Sequence, residues 1–304
     1  MRFATTLQQG QAQLGVVDGS DWVSLGPTCS DLRAALEAGT DLAAAARAAL
    51  LQASTAANVA HVANPANVAN VAIGSRLPLA AQTFAPLVPE PGKIICLGLN
   101  YFDHAKEGGR DKPDYPWFFY RGKSSLVAHG QPGVLPKVSS KFDYEAELAV
   151  VIGKTVPRHV QRADALQYVL GYSCFNDMSV RDYQKRTPQW TIGKNFDGTG
   201  GFGPVLVTAD ELPAGATGLR IQSRLNGQVM QDANTSDMIF AVDETIALLA
   251  QCMTLQPGDA IIMGTPAGVG QARTPPVWMQ AGDLIEIEIA QIGLLANRIA
   301  AEAA

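Results

Sequence analysis

Short alternations of apolar and polar residues open the chain. Arg2 to Leu7, Ala12 to Val17 and Asp21 to Leu25 read as strands, separated by the turn signals Gly10 and Asp18-Gly19-Ser20. Asp31 stands where an N-cap belongs, ahead of an alanine-rich helix that reaches about Leu51 with an interruption near Gly39-Thr40. Five triplets of the Asn-Val-Ala type follow from Asn58 to Ala72, and a period of three suits neither a helix nor a strand. They predict a low-complexity linker. Beyond Arg76 the pattern shifts to short β-rich runs broken by Gly and Pro. The predicted strands are Lys93 to Leu99, Trp117 to Tyr120, Tyr144 to Ile152, Leu170 to Asn176, Gly203 to Val207, Leu219 to Leu225, Ala260 to Met263 and Leu284 to Ile289. Helical patterning is confined to a piece after Asn100, Ala163 to Val169 and Val242 to Cys252. Many strands with few helices predict an α+β architecture rather than a doubly wound βαβ fold. The expected division is a small N-terminal α/β domain with its linker over residues 1–75 and a larger domain over 76–304.

Composition acts mainly by exclusion. A chain of 304 residues suits one large core, or one core with a small appended domain. It is 47% hydrophobic and 17% charged with a formal net charge of −5, so it has no broad basic field and nucleic acid is a poor partner. Cys29, Cys96, Cys174 and Cys252 are scattered without a CxxC pair, and the first residues lack the apolar core of a signal peptide; a reducing cytoplasm is the expected location. No Asp, Glu, Lys or Arg lies between Arg47 and Arg76, but Asn58, His61, Asn64, Asn67 and Asn70 are too polar for a bilayer core, so no membrane span is expected. No GxGxxG or P-loop lysine motif opens a helix, so nucleotide cofactors are not indicated.

Four segments carry candidate chemistry. In Glu145-Ala146-Glu147 the glutamates alternate on a strand with Cα atoms about 6.5 Å apart on one face, and Asp177 follows where another strand runs into a polar turn. Spacing alone favours a solvated acidic face; a metal site with oxygen ligands, hence Mg²⁺ or Mn²⁺ rather than zinc, is the alternative. His104 and Glu107 share a helical face at i, i+3, as a surface ion pair or as a carboxylate-oriented base under a Gly108-Gly109 flap. Lys194 precedes a glycine-rich run and reads either as a solvated lysine or as a contact for an anionic oxygen. Gly264-Thr265-Pro266 closes a buried strand with a turn able to hold a carboxylate, or with a plain tight turn.

Taken in order, these runs resemble the fumarylacetoacetate hydrolase family. The matching residues are Gly98-Leu99-Asn100-Tyr101 through His104 and Glu107; Asp143-Tyr144-Glu145-Ala146-Glu147; Asn176-Asp177 with Arg181-Asp182 and Gln184; Gly193-Lys194 with Phe196-Asp197; and Gly264-Thr265-Pro266. The similarity spans roughly Pro89 to Ile289. It implies a mixed β-roll or β-sandwich catalytic domain and a homodimer. It implies Mg²⁺ or Mn²⁺, with Ca²⁺ as a substitute, held by Glu145, Glu147 and Asp177. By the same resemblance His104 and Glu107 form a water-activating dyad on a closing lid, and Lys194 is catalytic. Gln184, Thr265, Gly264, Tyr101 and Arg121 are implied to line the substrate, Arg121 standing where many relatives have lysine. The expected reaction is hydrolytic C–C cleavage of a 2,4-dioxo acid, an acylpyruvate or fumarylpyruvate-like keto acid, to pyruvate and a carboxylic acid, in catabolism of aromatic or sugar-acid compounds. Decarboxylation of oxaloacetate-like acids and hydroxymuconate-type isomerisation are alternatives on the same site. A metal-stabilised binding protein without turnover is the alternative of a different class.

Overall fold

The computed structural model describes residues 1–55, 71–109 and 111–303, so the triplets from Asn58 to Asn70 lie outside the described residues. Among the described residues, an eleven-stranded sheet, a five-stranded sheet and a two-stranded ribbon carry the architecture. The large sheet runs in the order Arg76–Pro78, Asp21–Ser24, Gln11–Asp18, Arg2–Gln8, Gly200–Thr208, Val169–Asp177, Ala146–Ile152, Ala260–Ile262, Ile94–Gly98 and Trp117–Arg121. It is mixed: Ala260–Ile262 runs parallel to Ile94–Gly98, and Leu126–Val127 runs parallel to Gly200–Thr208. The second sheet runs Gln228–Asn234, Arg220–Leu225, Leu284–Ile289, Gly293–Ala301 and Gly133–Leu135. Mixed sheets with few helices match the α+β, β-roll expectation.

Ala146–Ile152 is central and buried along its whole length. Leu148, Val150 and Ile152 enter one hydrophobic core with Ile285, Ile287 and Leu295 of the second sheet. Ala149 and Val151 enter the other core, with Phe3, Leu14, Ala46 and Ala49. Burial on both faces explains why this strand reads as a continuous apolar run. The first strand pairs directly with Gly200–Thr208, Arg2 opposite Val207 and Phe3 opposite Leu206. Segments on either side of the expected boundary at 75/76 therefore share one sheet and one core.

Local expectations mostly hold. The N-terminal helical stretch is two helices, Leu32–Glu37 and Leu42–Ser54, parted where Gly39 takes φ 71°. Asp31 caps the first by accepting from the Ala34 N–H at 3.0 Å, and Asp41 caps the second through Ala44 at 2.9 Å. Over Ala163 to Val169 the helical pattern resolves as a 3₁₀ run, Arg162–Tyr168. Gln228–Asn234 and Gly293–Ala301 are strands that the apolar pattern did not announce. The first is a polar edge strand; the second buries only alternate residues such as Leu295 and Ile299. No helix among the described residues is long and apolar enough to cross a membrane.

Candidate active site

Strand pairing brings the acidic residues together. Ala146–Ile152 lies antiparallel to Val169–Asp177 with Ala146 opposite Asn176, which puts Glu145 and Glu147 beside the end of the strand that closes with Asp177. The Asp177 N–H donates to the Glu145 carbonyl at 3.0 Å, and the Asn176 side chain accepts the Glu145 N–H at 3.1 Å. One ligand atom from each of Glu145, Glu147 and Asp177 lies within 4.8 Å of the others, and all three residues are buried.

Their electrostatics are unequal. The Lys194 ammonium donates to Asp177 Oδ2 at 2.6 Å and also to Glu145 Oε2. Arg181 donates to Glu145 Oε1 at 2.7 Å and to Asp143 Oδ2 at 2.8 Å. Burial alone would raise the Glu145 carboxyl, but Arg181 and Lys194 outweigh it and hold it well below the ordinary carboxylate range. Burial works against the Lys194 charge too, and Asp177 and Glu145 overcome it, so the ammonium is held charged. Glu147 has no cationic side chain within ion-pair distance among the described residues; its Oε2 accepts the Gly264 N–H at 2.6 Å. Burial first, then Asp177 and Glu145, push its carboxyl well above the ordinary range. A buried, oxygen-only donor set with one uncompensated carboxylate is what a hard divalent cation relieves, so these three residues fit the expected metal.

The surrounding elements fix this floor. Lys194 ends the short helix Thr191–Lys194, and a Cβ on Gly193 would lie 2.4 Å from the Gln184 backbone nitrogen, so glycine lets that helix pack against Arg181–Gln184. The helix Phe102–Glu107 springs from Asn100, whose buried side chain donates to Phe240 and Met263 carbonyls and accepts the Phe240 N–H. His104 Nδ1 stands 3.3 Å from Glu107 Oε2, and the other Glu107 oxygen accepts the Gly268 N–H at 2.9 Å. The His104–Glu107 pair is thereby tied to the turn after Ala260–Ile262.

A cavity of about 630 Å³ opens over the floor, walled by His104, Glu145, Glu147, Gln184, Lys194 and Thr265, with Trp117, Phe119 and Trp190 as its aromatic side. Trp117 and Trp190 stack with centroids 5.4 Å apart. Glu107 and Asp177 support this wall from behind. Three residues implied as substrate contacts are not brought to it. Arg121 is buried behind Asp177, donating to that carboxylate and to the Met178 carbonyl at 2.7 Å. Gly264 spends its N–H on Glu147 and abuts Asn100, and Tyr101 is 1% exposed in the core, its hydroxyl without a partner among the described residues.

Sequence reasoning passed over four residues that shape the site. Arg181 was visible in the Asp177-to-Gln184 run, and Asp143 in the acidic one. Asp143 also accepts the Gly270 and Gln271 N–H groups at 2.7 and 3.0 Å, tying that loop to Arg181. Gln231, which holds the Thr265 hydroxyl at 2.7 Å, and Gln271, which lines the cavity, carried no signal in their segments.

Comparison with known proteins agrees with this geometry. Residues 93–300 match the family described as fumarylacetoacetate (FAA) hydrolase, C-terminal. The chain is 40% identical over 232 residues to the mitochondrial oxaloacetate tautomerase Fahd2a of Rattus norvegicus, covering 75% of this chain and 74% of that one. It is 44% identical over 216 residues to the oxaloacetate tautomerase YisK of Bacillus subtilis, covering 70% and 71%. The solved structure of maleylpyruvate hydrolase from Sphingobium sp. SYK-6, in complex with manganese(II) ion and pyruvate, superposes with a TM-score of 0.77 at 30% identity over 100% of both chains. By that match and these identities, and in keeping with its acidic floor and mixed sheets, the chain belongs to the fumarylacetoacetate hydrolase family.

Proposed function

We propose that the chain is a metal-dependent tautomerase interconverting the keto and enol forms of oxaloacetate or a close 2-oxo dicarboxylic acid. The observation that carries this reading is that His104, steadied by Glu107, and the buried Lys194 ammonium face one cavity. A proton acceptor and a fixed cation are what enolisation requires. Similarity to two oxaloacetate tautomerases supports the choice of substrate.

A divalent cation held by Glu145, Glu147 and Asp177, Mg²⁺ or Mn²⁺, would supply Lewis-acid polarisation of the 2-oxo acid. His104 takes a proton from C3, and the C–H electron pair moves into the C2–C3 bond as the carbonyl electrons move onto oxygen. Lys194 stabilises that developing oxyanion in a water-poor pocket, where a fixed charge is worth more than in solvent. Return of the proton to oxygen gives the enol, and return to carbon gives the keto acid, with no net consumption of protons. Gln184 and Thr265 are placed to orient the substrate, and the Trp117–Trp190 wall limits water.

Hydrolysis of an acylpyruvate or fumarylpyruvate is the second reading. It is favoured by the same His104–Glu107 pair, which suits activation of a water, and by similarity to the maleylpyruvate hydrolase. The test follows oxaloacetate enol absorbance with Mg²⁺ or Mn²⁺ while assaying pyruvate and CO₂, with acylpyruvates in parallel. Faster enol decay without pyruvate is the expected result. Enol decay no faster than with metal alone, together with pyruvate and a second acid from an acylpyruvate, would replace it with hydrolysis; CO₂ with pyruvate from oxaloacetate would replace it with decarboxylation.

A further inference from the structure

The cavity is acidic at its floor and basic at one side. Glu145 and Asp177 already have Lys194, Arg121 and Arg181 as partners. Lys185 and Arg186 also line the cavity, and among the described residues neither has a carboxylate within ion-pair distance. Arg186 is otherwise engaged, its guanidinium carbon 3.6 Å from the centroid of the Tyr183 ring. Lys185 is free of such a contact, exposed, and one turn beyond Arg181, whose carbonyl accepts its N–H at 3.2 Å. Burial and the nearby Arg181 and Lys141 disfavour its charge, a cost that an incoming anion offsets.

Gln271 reaches the same place from another loop. Its N–H and the Arg181 Nε–H both end on Asp143 Oδ2, at 3.0 and 2.8 Å, and Lys185 follows Arg181 by one helical turn along the same cavity. The Gln271 carboxamide oxygen is buried with no hydrogen-bond partner among the described residues, although the residue forms part of the cavity wall. A carboxylate can meet this side chain only through its N–H₂ end, since the partnerless oxygen accepts and does not donate.

We infer that Lys185 and Gln271 form a subsite for the far carboxylate of a dicarboxylic substrate whose 2-oxo acid end lies over Glu145, Glu147 and Asp177. The inference rests on the tautomerase reading for its substrate class and assigns that selectivity to two residues outside the metal floor. A neutral acyl tail has no use for an unpaired ammonium, whereas a second carboxylate pairs with it and accepts from the amide.

The probe is a pair of acids with equal carbon number, oxaloacetate and 2-oxobutanoate, which differ in ending in carboxylate or methyl. Binding to Mg²⁺-loaded full-length protein is read by rapid-mixing tryptophan fluorescence, since Trp117 and Trp190 line the cavity. Wild-type protein should prefer oxaloacetate by about tenfold or more. Lys185→Met should bring that ratio close to one, and Gln271→Leu should reduce it about threefold, both with 2-oxobutanoate affinity unchanged. Equal binding of the two acids by wild type, binding of neither, or an unchanged ratio in both variants would overturn the subsite. Failure of the tautomerase reading gives a different result: the preference remains, but wild-type enzyme does not accelerate enol decay.

Discussion

Lys194 and Asp177 meet at 2.6 Å with both side chains buried, and the same ammonium also serves Glu145. In the metal-free protein this lysine is the counter-ion shared by two of the three buried carboxylates, Glu145 and Asp177. Removing it should cost what breaking a buried ion pair costs, about 3–5 kcal/mol. Lys194→Met is therefore expected to unfold at lower urea without metal and to regain more stability from Mg²⁺ than wild type does. Its turnover should stay about 10²–10³-fold lower even with saturating metal, because the oxyanion loses its fixed cation. A metal-free variant as stable as wild type would remove Lys194 from the counter-ion role.

Glu147 predicts a different balance. Its carboxylate has the least compensation of the three, and the Gly264 N–H would still find an acceptor on a glutamine. Glu147→Gln should be at least as stable as wild type without metal, because a buried, poorly paired charge has been neutralised in the same shape. It should lose the rise in melting temperature that Mg²⁺ or Mn²⁺ gives the wild-type protein. Retention of that rise would mean that the ion does not need Glu147.

The His104–Glu107 pair separates chemistry from metal binding. His104 lines the cavity while Glu107 faces it through the imidazole and holds the Gly268 N–H, so neither touches the cation floor. His104→Ala should lower kcat by about 10²–10⁴-fold while the metal-dependent melting shift persists. Glu107→Gln keeps a hydrogen-bond acceptor and should lose less, about tenfold, with a displaced pH–rate profile. An unchanged rate for His104→Ala on every keto acid turned over would take the imidazole out of the reaction.

How much of this site was legible follows from where each residue's partners lie in the chain. Strand alternation put Glu145 and Glu147 on one face, but spacing alone favoured a solvated face; the order of the runs and the resemblance they carry added Asp177, and the structure brings the three together by pairing Ala146 with Asn176. Arg121 was implied by its standing where many relatives have lysine, whereas here its guanidinium is buried against Asp177, on the same strand face as Phe119, which does line the cavity. Tyr101 was implied by the resemblance of its run alone, whereas the ring is packed in the core beside the helix Phe102–Glu107. Gln231 acts on Thr265 from 34 positions away and Gln271 on Asp143 from 128, and no local pattern encodes such meetings. The polar strand Gln228–Asn234 was hidden for a related reason: an edge strand needs a partner, not an apolar alternation, and its partner is Arg220–Leu225.

Away from the site, His129 gives the fold an acid-sensitive contact. Its Nδ1 accepts the Ala296 N–H at 3.1 Å, and its ring meets Phe84 edge-on at 5.0 Å, joining a loop to the strand Gly293–Ala301. Protonation would turn that acceptor into a donor facing another donor and place a charge in a half-buried site. Burial accordingly lowers the imidazole below its ordinary value of 6.5. The sign follows from linkage: as pH falls through about 6.5 the unfolded chain takes up its proton before the folded one does, so folding stability decreases with acidification. His129→Asn offers a non-titrating acceptor and should flatten this part of the profile. Urea unfolding of both proteins at about pH 7.5 and about pH 5.5 measures it, the wild type losing more stability between the two. Equal losses in the two proteins would show that the Ala296 contact survives protonation and that the acid sensitivity lies with other groups.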